Sequence, residues 1–126
     1  MKNIKKDGKF YLKLDLKGLP SGGNARQNWR AKYAETKNWK SQVFFATKGK
    51  LPPKPLKKVK LKFTRHSSNK MDWDNLVISF KAIQDGLVNA GIVRDDKVKN
   101  IPEMPVYEQV LAKRGHGCVS IEIWEV

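Results

Sequence analysis

Three well-separated segments of the chain alternate apolar and polar residues with a period of two, which restricts the fold to one built around a sheet. In the first, Phe10, Leu12, Leu14 and Leu16 alternate with Tyr11, Lys13, Asp15 and Lys17. In the second, Val59, Leu61 and Phe63 alternate with Lys60, Lys62 and Thr64, and in the third Val119, Ile121 and Ile123 alternate with Ser120, Glu122 and Trp124. Successive strand side chains point to opposite faces, so each segment offers one face to a core and one to water.

Between the strands the period changes to that of helices. A helix is expected over 27–47, with Trp29, Tyr33, Thr36, Val43, Phe44 and Thr47 on one side and Arg30, Lys32, Lys37 and Lys48 in water. Three prolines between Lys50 and Pro55 end it. Arg65 to Lys70 is expected as a polar loop or ragged strand end. A second helix is expected from Asn75 to Asn89, with Gly91 at its stop. Val98–Ile101 and Tyr107–Lys113 look extended, and the latter is expected to pair with the closing strand as an antiparallel hairpin. The sum is an α+β (α/β-like) domain spanning 1–126, a small mixed sheet packed against two main helices.

Hydrophobic residues make up 40% of the 126, with four Trp and five Phe, so the chain has the means to build a core and is not of the disordered class. Its net charge is +14, from 26 Lys and Arg against 12 acids. These charges are spread over strands, loops and both helices. A membrane-surface protein would gather them on one strongly amphipathic helix, so the pattern points to nucleic acid instead. Cys118 is the single cysteine, which rules out an internal disulfide and fits a strand residue in a reducing compartment. The basic start has no apolar run after it and no membrane span is present, so a soluble, cytoplasmic protein with no organic cofactor is expected.

The acids are not spread. Five of the seven aspartates lie between residues 72 and 96: Asp72, Asp74, Asp85, Asp95 and Asp96. With Lys81 and Arg94 that stretch carries −3, leaving +17 on the rest. Clustered carboxylates repel one another unless a cation neutralises them, and a divalent metal is a common solution. On a helical wheel at about 100° per residue, Leu76, Phe80, Ile83 and Leu87 form one buried stripe, and Asp74, Lys81 and Asp85 fall on the opposite side. If Asp72 is extended, its carboxylate points the same way as that of Asp74. Structural roles stand beside this: Asp74 or Asn75 as a helix cap, Lys81–Asp85 as an i,i+4 surface pair, Asp95–Asp96 as a plain turn. An EF-hand is excluded, because Val77 and Ile83 stand where its Gly and Glu belong. There is no Walker or dinucleotide glycine pattern, and His66, His116 and Cys118 lack zinc spacing.

The run Asp72-Trp73-Asp74-Asn75-Leu76, then Lys81, Asp85-Gly86-Leu87, Ala90-Gly91 and Asp95-Asp96, resembles the RusA family of Holliday-junction resolvases, the crossover junction endodeoxyribonucleases. The match is close over residues 72 to 96 and weaker at Leu19 to Asn24, Trp29-Arg30 and the closing strand. The resemblance implies a Mg²⁺-dependent nuclease, with Mn²⁺ as substitute, that cuts branched DNA at four-way junctions as a homodimer, in a phage or prophage recombination setting. It implies that Asp72, Asp74 and Asp96 are catalytic carboxylates and metal ligands, that Lys81 is the helix lysine needed for cleavage, and that Asp85 and Asp95 support them. One departure stands out. The family's lysine follows the Asp-Asn pair by three residues, whereas Lys81 follows Asn75 by six, an extra turn of about 4.5 Å along a helix axis. Arg26, Arg30, Lys37, Lys62, Arg65, Lys70 and Asn75 are the expected DNA contacts, through backbone phosphates that position without reading sequence.

Overall fold

The computed structural model describes residues 4–6, 9–22 and 28–126; Asn24 and Arg26 lie outside them. The elements in chain order are β1 (Ile4–Lys6), β2 (Lys9–Lys17), α1 (Trp29–Thr47), β3 (Val59–Ser67), α2 (Trp73–Ser79), α3 (Lys81–Asn89), β4 (Val106–Leu111) and β5 (Cys118–Glu125). The five strands form one mixed sheet in the order β1-β2-β5-β3-β4, antiparallel except for the β3–β4 pair. This is the expected α+β domain, with α1 and the α2–α3 pair as the helical layer.

The three alternating segments bury the faces that their patterns assign. Leu12, Leu14, Leu61, Phe63, Val119, Ile121 and Ile123 are all at most 2% exposed and form one core with Val43, Leu76, Phe80, Ile83 and Leu87. The opposite face of the sheet is polar. There Tyr11 packs on Trp124, and Lys13, Glu122 and Lys62 stand in one row across three strands. Tyr11 donates to Glu122 Oε1 at 2.7 Å, and burial together with that carboxylate pushes its phenol up to about 12.

Three local expectations change, and at 65–70 the strand-end alternative holds as far as Ser67. β4 does not form a hairpin with β5: it runs antiparallel to β5 in direction, but β3 lies between them and is its partner among the described residues. Residues 98–100 form a turn rather than a strand, closed by the Asn100 and Ile101 amides on Lys97 O. Asn100 is only 4% exposed and donates to Lys57 O at 2.8 Å, so a buried amide holds the turn down. Arg65 and His66 belong to β3, and His66 Nε2 sits 3.1 Å from Ser120 Oγ, which donates to Asp15. In α1 the buried residues are Trp39, Val43 and Thr47, whereas Trp29, Tyr33 and Phe44 are 73%, 66% and 52% exposed.

The second helix begins two residues earlier than expected and is broken at Phe80, which closes α2 and opens α3 with φ −89° and ψ 0°. Two causes meet there. The Ser79 hydroxyl donates to Leu76 O at 2.6 Å, a local bond that competes with the helical ladder. The Phe80 ring is fully buried and stacks on Phe63 with centroids 4.9 Å apart. Glycine then lets α3 approach α1: a Cβ on Gly86 would lie 3.2 Å from Val43 Cβ and 3.4 Å from Lys40 Cα. Among the described residues no helix is long and apolar enough to cross a membrane.

Candidate functional site

Three structural devices hold the aspartate-rich stretch. The first is Gln109 of β4. Its carboxamide accepts the Met71 N–H at 2.8 Å and donates to Met71 O at 2.9 Å, clasping the backbone just before Asp72. The second is Phe80, whose buried ring seats the start of α3 and so the base of Lys81. The third is a short parallel bridge between Leu56 and Val93, with Leu56 N donating to Ile92 O and Arg94 N to Leu56 O, which fixes the chain as it enters Asp95-Asp96. Nothing in the sequence singles out Gln109, since one glutamine in a half-buried strand has no spacing signature.

These devices bring Lys81, Asp85, Asp95 and Asp96 together. Lys81 Nζ lies 3.0 Å from Asp85 Oδ1 and 3.0 Å from Asp96 Oδ2. The two carboxylates hold the ammonium above its ordinary range, Asp96 contributing most, and Lys81 in turn holds the Asp96 carboxyl below the usual carboxylate range. Asp95 acts locally: its Oδ1 accepts the Asp96 amide at 2.8 Å and its other oxygen lies 3.7 Å from Lys97. The turn role expected of the paired aspartates thus falls to Asp95, leaving the Asp96 side chain for Lys81. The Lys81–Asp85 surface pair is present as well. The cation's field reaches Tyr107, stacked on Phe63 at 5.5 Å, where it opposes the upward push of burial on the phenol.

Asp72 and Asp74 are exposed at the head of α2. Asp72 takes the N-cap backbone position, with no side-chain capping bond, and Asp74 accepts only its neighbour's amide, from Asn75 at 3.0 Å. Asp72 keeps the extended backbone expected from the sequence, with φ −61° and ψ 147°, while Asp74 already lies in the first turn of α2. Neither contacts Lys81 or Asp96. Carboxylate oxygens are the right donors for a hard divalent ion. As placed, however, they do not form a centre: among the described residues no group of three or more His, Cys, Asp or Glu is arranged to hold a metal.

Two clefts meet at this cluster. One, of about 400 Å³, runs between the 20–22 loop, α1 and the α2–α3 pair, and is lined by Lys32, Glu35, Ile78, Lys81 and Asp85. Glu35 accepts the Ser21 amide at 2.8 Å, which anchors the loop to α1. The other, of about 240 Å³, is lined by Lys40, Asp85, Asp95 and Asp96. Lys32 and Lys40 are lining cations whose position shows only once α1 is seated on α3.

The expected DNA contacts divide between the two faces of the sheet. Arg30 and Lys37 are exposed on α1, and Lys70 is exposed in the loop before Asp72. The Asn75 side chain sits against the 20–22 loop, 3.4 Å from where a Gly22 Cβ would be. Arg65 projects to the helical side, reaches Asn69 O at 3.3 Å, and keeps a buried Nε without a partner; burial lowers its guanidinium. Lys62 instead lies on the open face, 3.6 Å from Glu108, and Lys60 is 3.4 Å from Glu103. The outer face of β3 is therefore partly neutralised, and Lys62 stands apart from the acidic cluster.

No protein-family model matches the chain, and no curated protein is significantly similar to it.

Proposed function

We propose that this protein is a structure-selective endodeoxyribonuclease that resolves four-way DNA junctions by paired symmetric nicks and depends on Mg²⁺, with Mn²⁺ as substitute. The observation that carries the proposal is the Lys81 ammonium held between Asp85 and Asp96 where two clefts meet, on a body carrying +14 overall. The resemblance of the aspartate motifs to those of RusA-type resolvases, with Lys81 four residues before Asp85, supplies the reaction class. Such a body draws in DNA through its field and the release of counterions. A phosphate arriving at the rim competes with Asp96 for Lys81, whose three donors allow the Asp85 contact to remain. Asp72 and Asp74, not spent on capping, stay available to solvent. A bound divalent ion would neutralise charge on the phosphate and lower the pKa of its water. The metal requirement rests on the motif, not on an assembled centre. A junction has two strands to cut, so a C2 homodimer with one site per subunit fits it. The exposed edge strand β4, with Val106, Val110 and Leu111, offers apolar surface for such a pair.

The lack of a gathered metal-binding group among the described residues favours a second reading, a junction-binding module that does not cut. Labelled four-way junction, flap and linear duplex, incubated with Mg²⁺ or with EDTA, separate the two. Symmetric nicks on the junction, absent in EDTA, are the expected result; preferential flap cutting would reassign the substrate. Binding with no metal-stimulated cleavage of any substrate would remove the nuclease proposal and leave the module. Asp74→Asn should abolish cleavage while keeping junction binding, and cutting at the normal rate would refute its assignment.

A further inference from the structure

One flank of α1 carries large aromatic rings that the core does not use. Trp29 and Tyr33 are 73% and 66% exposed and four residues apart, so they stand on one side of the helix about 6 Å apart along its axis. Lys37 follows one turn later and Lys40 next. At about 100° per residue, Trp29, Tyr33, Lys37 and Lys40 fall within about 80° of one another. The Arg30 guanidinium lies over the Trp29 ring, 5.3 Å from its centroid. Lys40, at the far end of this stripe, lines the cleft that holds Asp85, Asp95 and Asp96. The row of two rings and three cations therefore leads to the acidic cluster.

We propose that this flank of α1 is a base-stacking platform for an unpaired DNA strand, delivering its backbone to the Lys81 cluster; this rests on the nucleic-acid part of the function above, not on metal or cleavage. Exposed rings interleaved with cations are what a single strand needs: every base has a face to stack, and every linkage has a charge to neutralise. Charge selects this occupant over a second copy of the chain. A symmetric self-contact would crowd two copies of Arg30, Lys37 and Lys40 into one interface, and like charges brought together there oppose association. The one acid of α1, Glu35, is a single negative charge against these three cations and offsets only part of them. Phe44 and Phe45 pack edge to face beyond the cations and take no part.

The test is binding of fluorescein-labelled (dT)₁₂, and of the same oligomer with abasic sites, in EDTA across a salt series. Four-way junction binding is measured in parallel. Trp29→Ala and Tyr33→Ala are each expected to lose roughly ten-fold affinity for (dT)₁₂ with the salt slope unchanged, while Trp29→Phe keeps most of it. Lys37→Ala should shallow the log–log salt slope by about 0.7. The abasic oligomer should bind wild type and both alanine variants equally weakly. Both rings are exposed, so the variants should melt like wild type, and circular dichroism checks it. Alanine variants that bind (dT)₁₂ as wild type does, or an abasic oligomer bound as tightly as (dT)₁₂, would overturn the platform while junction binding stands. So would Trp29→Ala turning a dimer into a monomer at unchanged oligonucleotide affinity. A wild type that binds neither DNA would overturn the function as well.

Discussion

Replacing Gln109 with alanine tests whether the clasp on Met71 sets the position of Asp72 and Asp74. Two bonds are lost, at 2.8 and 2.9 Å. An ordinary protein hydrogen bond contributes about 1 kcal/mol net, and Met71 is only half-buried, so water can replace part of each; the expected loss is about 1–2 kcal/mol. For a domain of this size that lowers Tm by roughly 4–8 °C. The local effect should exceed the global one, because the Met71 amide has Gln109 as its acceptor. Hydrogen exchange in Gln109→Ala should accelerate at Met71 and the first turn of α2 and stay near wild type in β2 and β5. Gln109→Glu sharpens the test. A carboxylate still accepts the Met71 N–H but sets a charged oxygen against Met71 O. At neutral pH the glutamate variant should be no more stable than the alanine one, and it should recover as the pH falls into the carboxylate range and the acid regains a donor. Unchanged Met71 exchange in Gln109→Ala, or a glutamate variant equal to wild type at pH 7, would refute the clasp.

Lys81→Met removes the charge that lowers Asp96, so a carboxyl titration by NMR should find Asp96 moved up towards its ordinary value, with stability changed by less than about 1 kcal/mol because the pair is at the surface. In wild type the pair's contribution is complete at neutral pH. It is lost as pH falls through the lowered Asp96 value, and at the alkaline end as pH rises through the raised Lys81 value. Phe80→Ala should cost about 3–5 kcal/mol in denaturant melts, as a fully buried ring leaves a cavity beneath Lys81. Gly86→Val forces a branched side chain into a seam where even a Cβ would meet Val43 at 3.2 Å, and a loss of about 1–3 kcal/mol is expected. Tyr11 should ionise near 12 by ultraviolet titration; its raised value makes the fold lose stability as pH rises from 10 towards 12, and Glu122→Gln should move that ionisation down.

The strands were legible because period-2 alternation reports burial directly, and Leu76, Phe80, Ile83 and Leu87 were legible for the same reason at period 3.6. All four are fully buried even though the helix they share is broken. The break was not legible. It depends on a Ser79 hydroxyl choosing Leu76 O and on Phe80 finding Phe63 and Tyr107, and both are tertiary events. The aromatic face of α1 was misassigned because its buried seam, Trp39, Val43 and Thr47, is turned away on the wheel from Tyr33 and Phe44, and the first turn, with Trp29, runs beyond the core. The direction of β4 followed from the sequence, but its neighbour did not, since the 112–117 loop can close a hairpin or step past one strand equally well.

The aspartate-rich stretch shows the same limit at the level of chemistry. Five acids read from spacing looked like one constellation, yet each has its own environment: Asp95 closes a turn, Asp85 pairs along its helix, Asp96 reaches across to Lys81, and Asp72 and Asp74 stay exposed. The link between Lys81 and Asp96 spans 15 residues and depends on the Leu56–Val93 bridge, so no local motif encodes it. The break at Phe80 also decides how Lys81 is placed relative to Asn75. In one continuous helix the six-residue spacing from Asn75 would fix the position of the lysine. Because α3 starts afresh on a buried ring, the position of Lys81 is set by Phe80, Ile83 and Leu87 against the core rather than by a count from Asn75. Held in this way, the ammonium meets Asp96 at 3.0 Å.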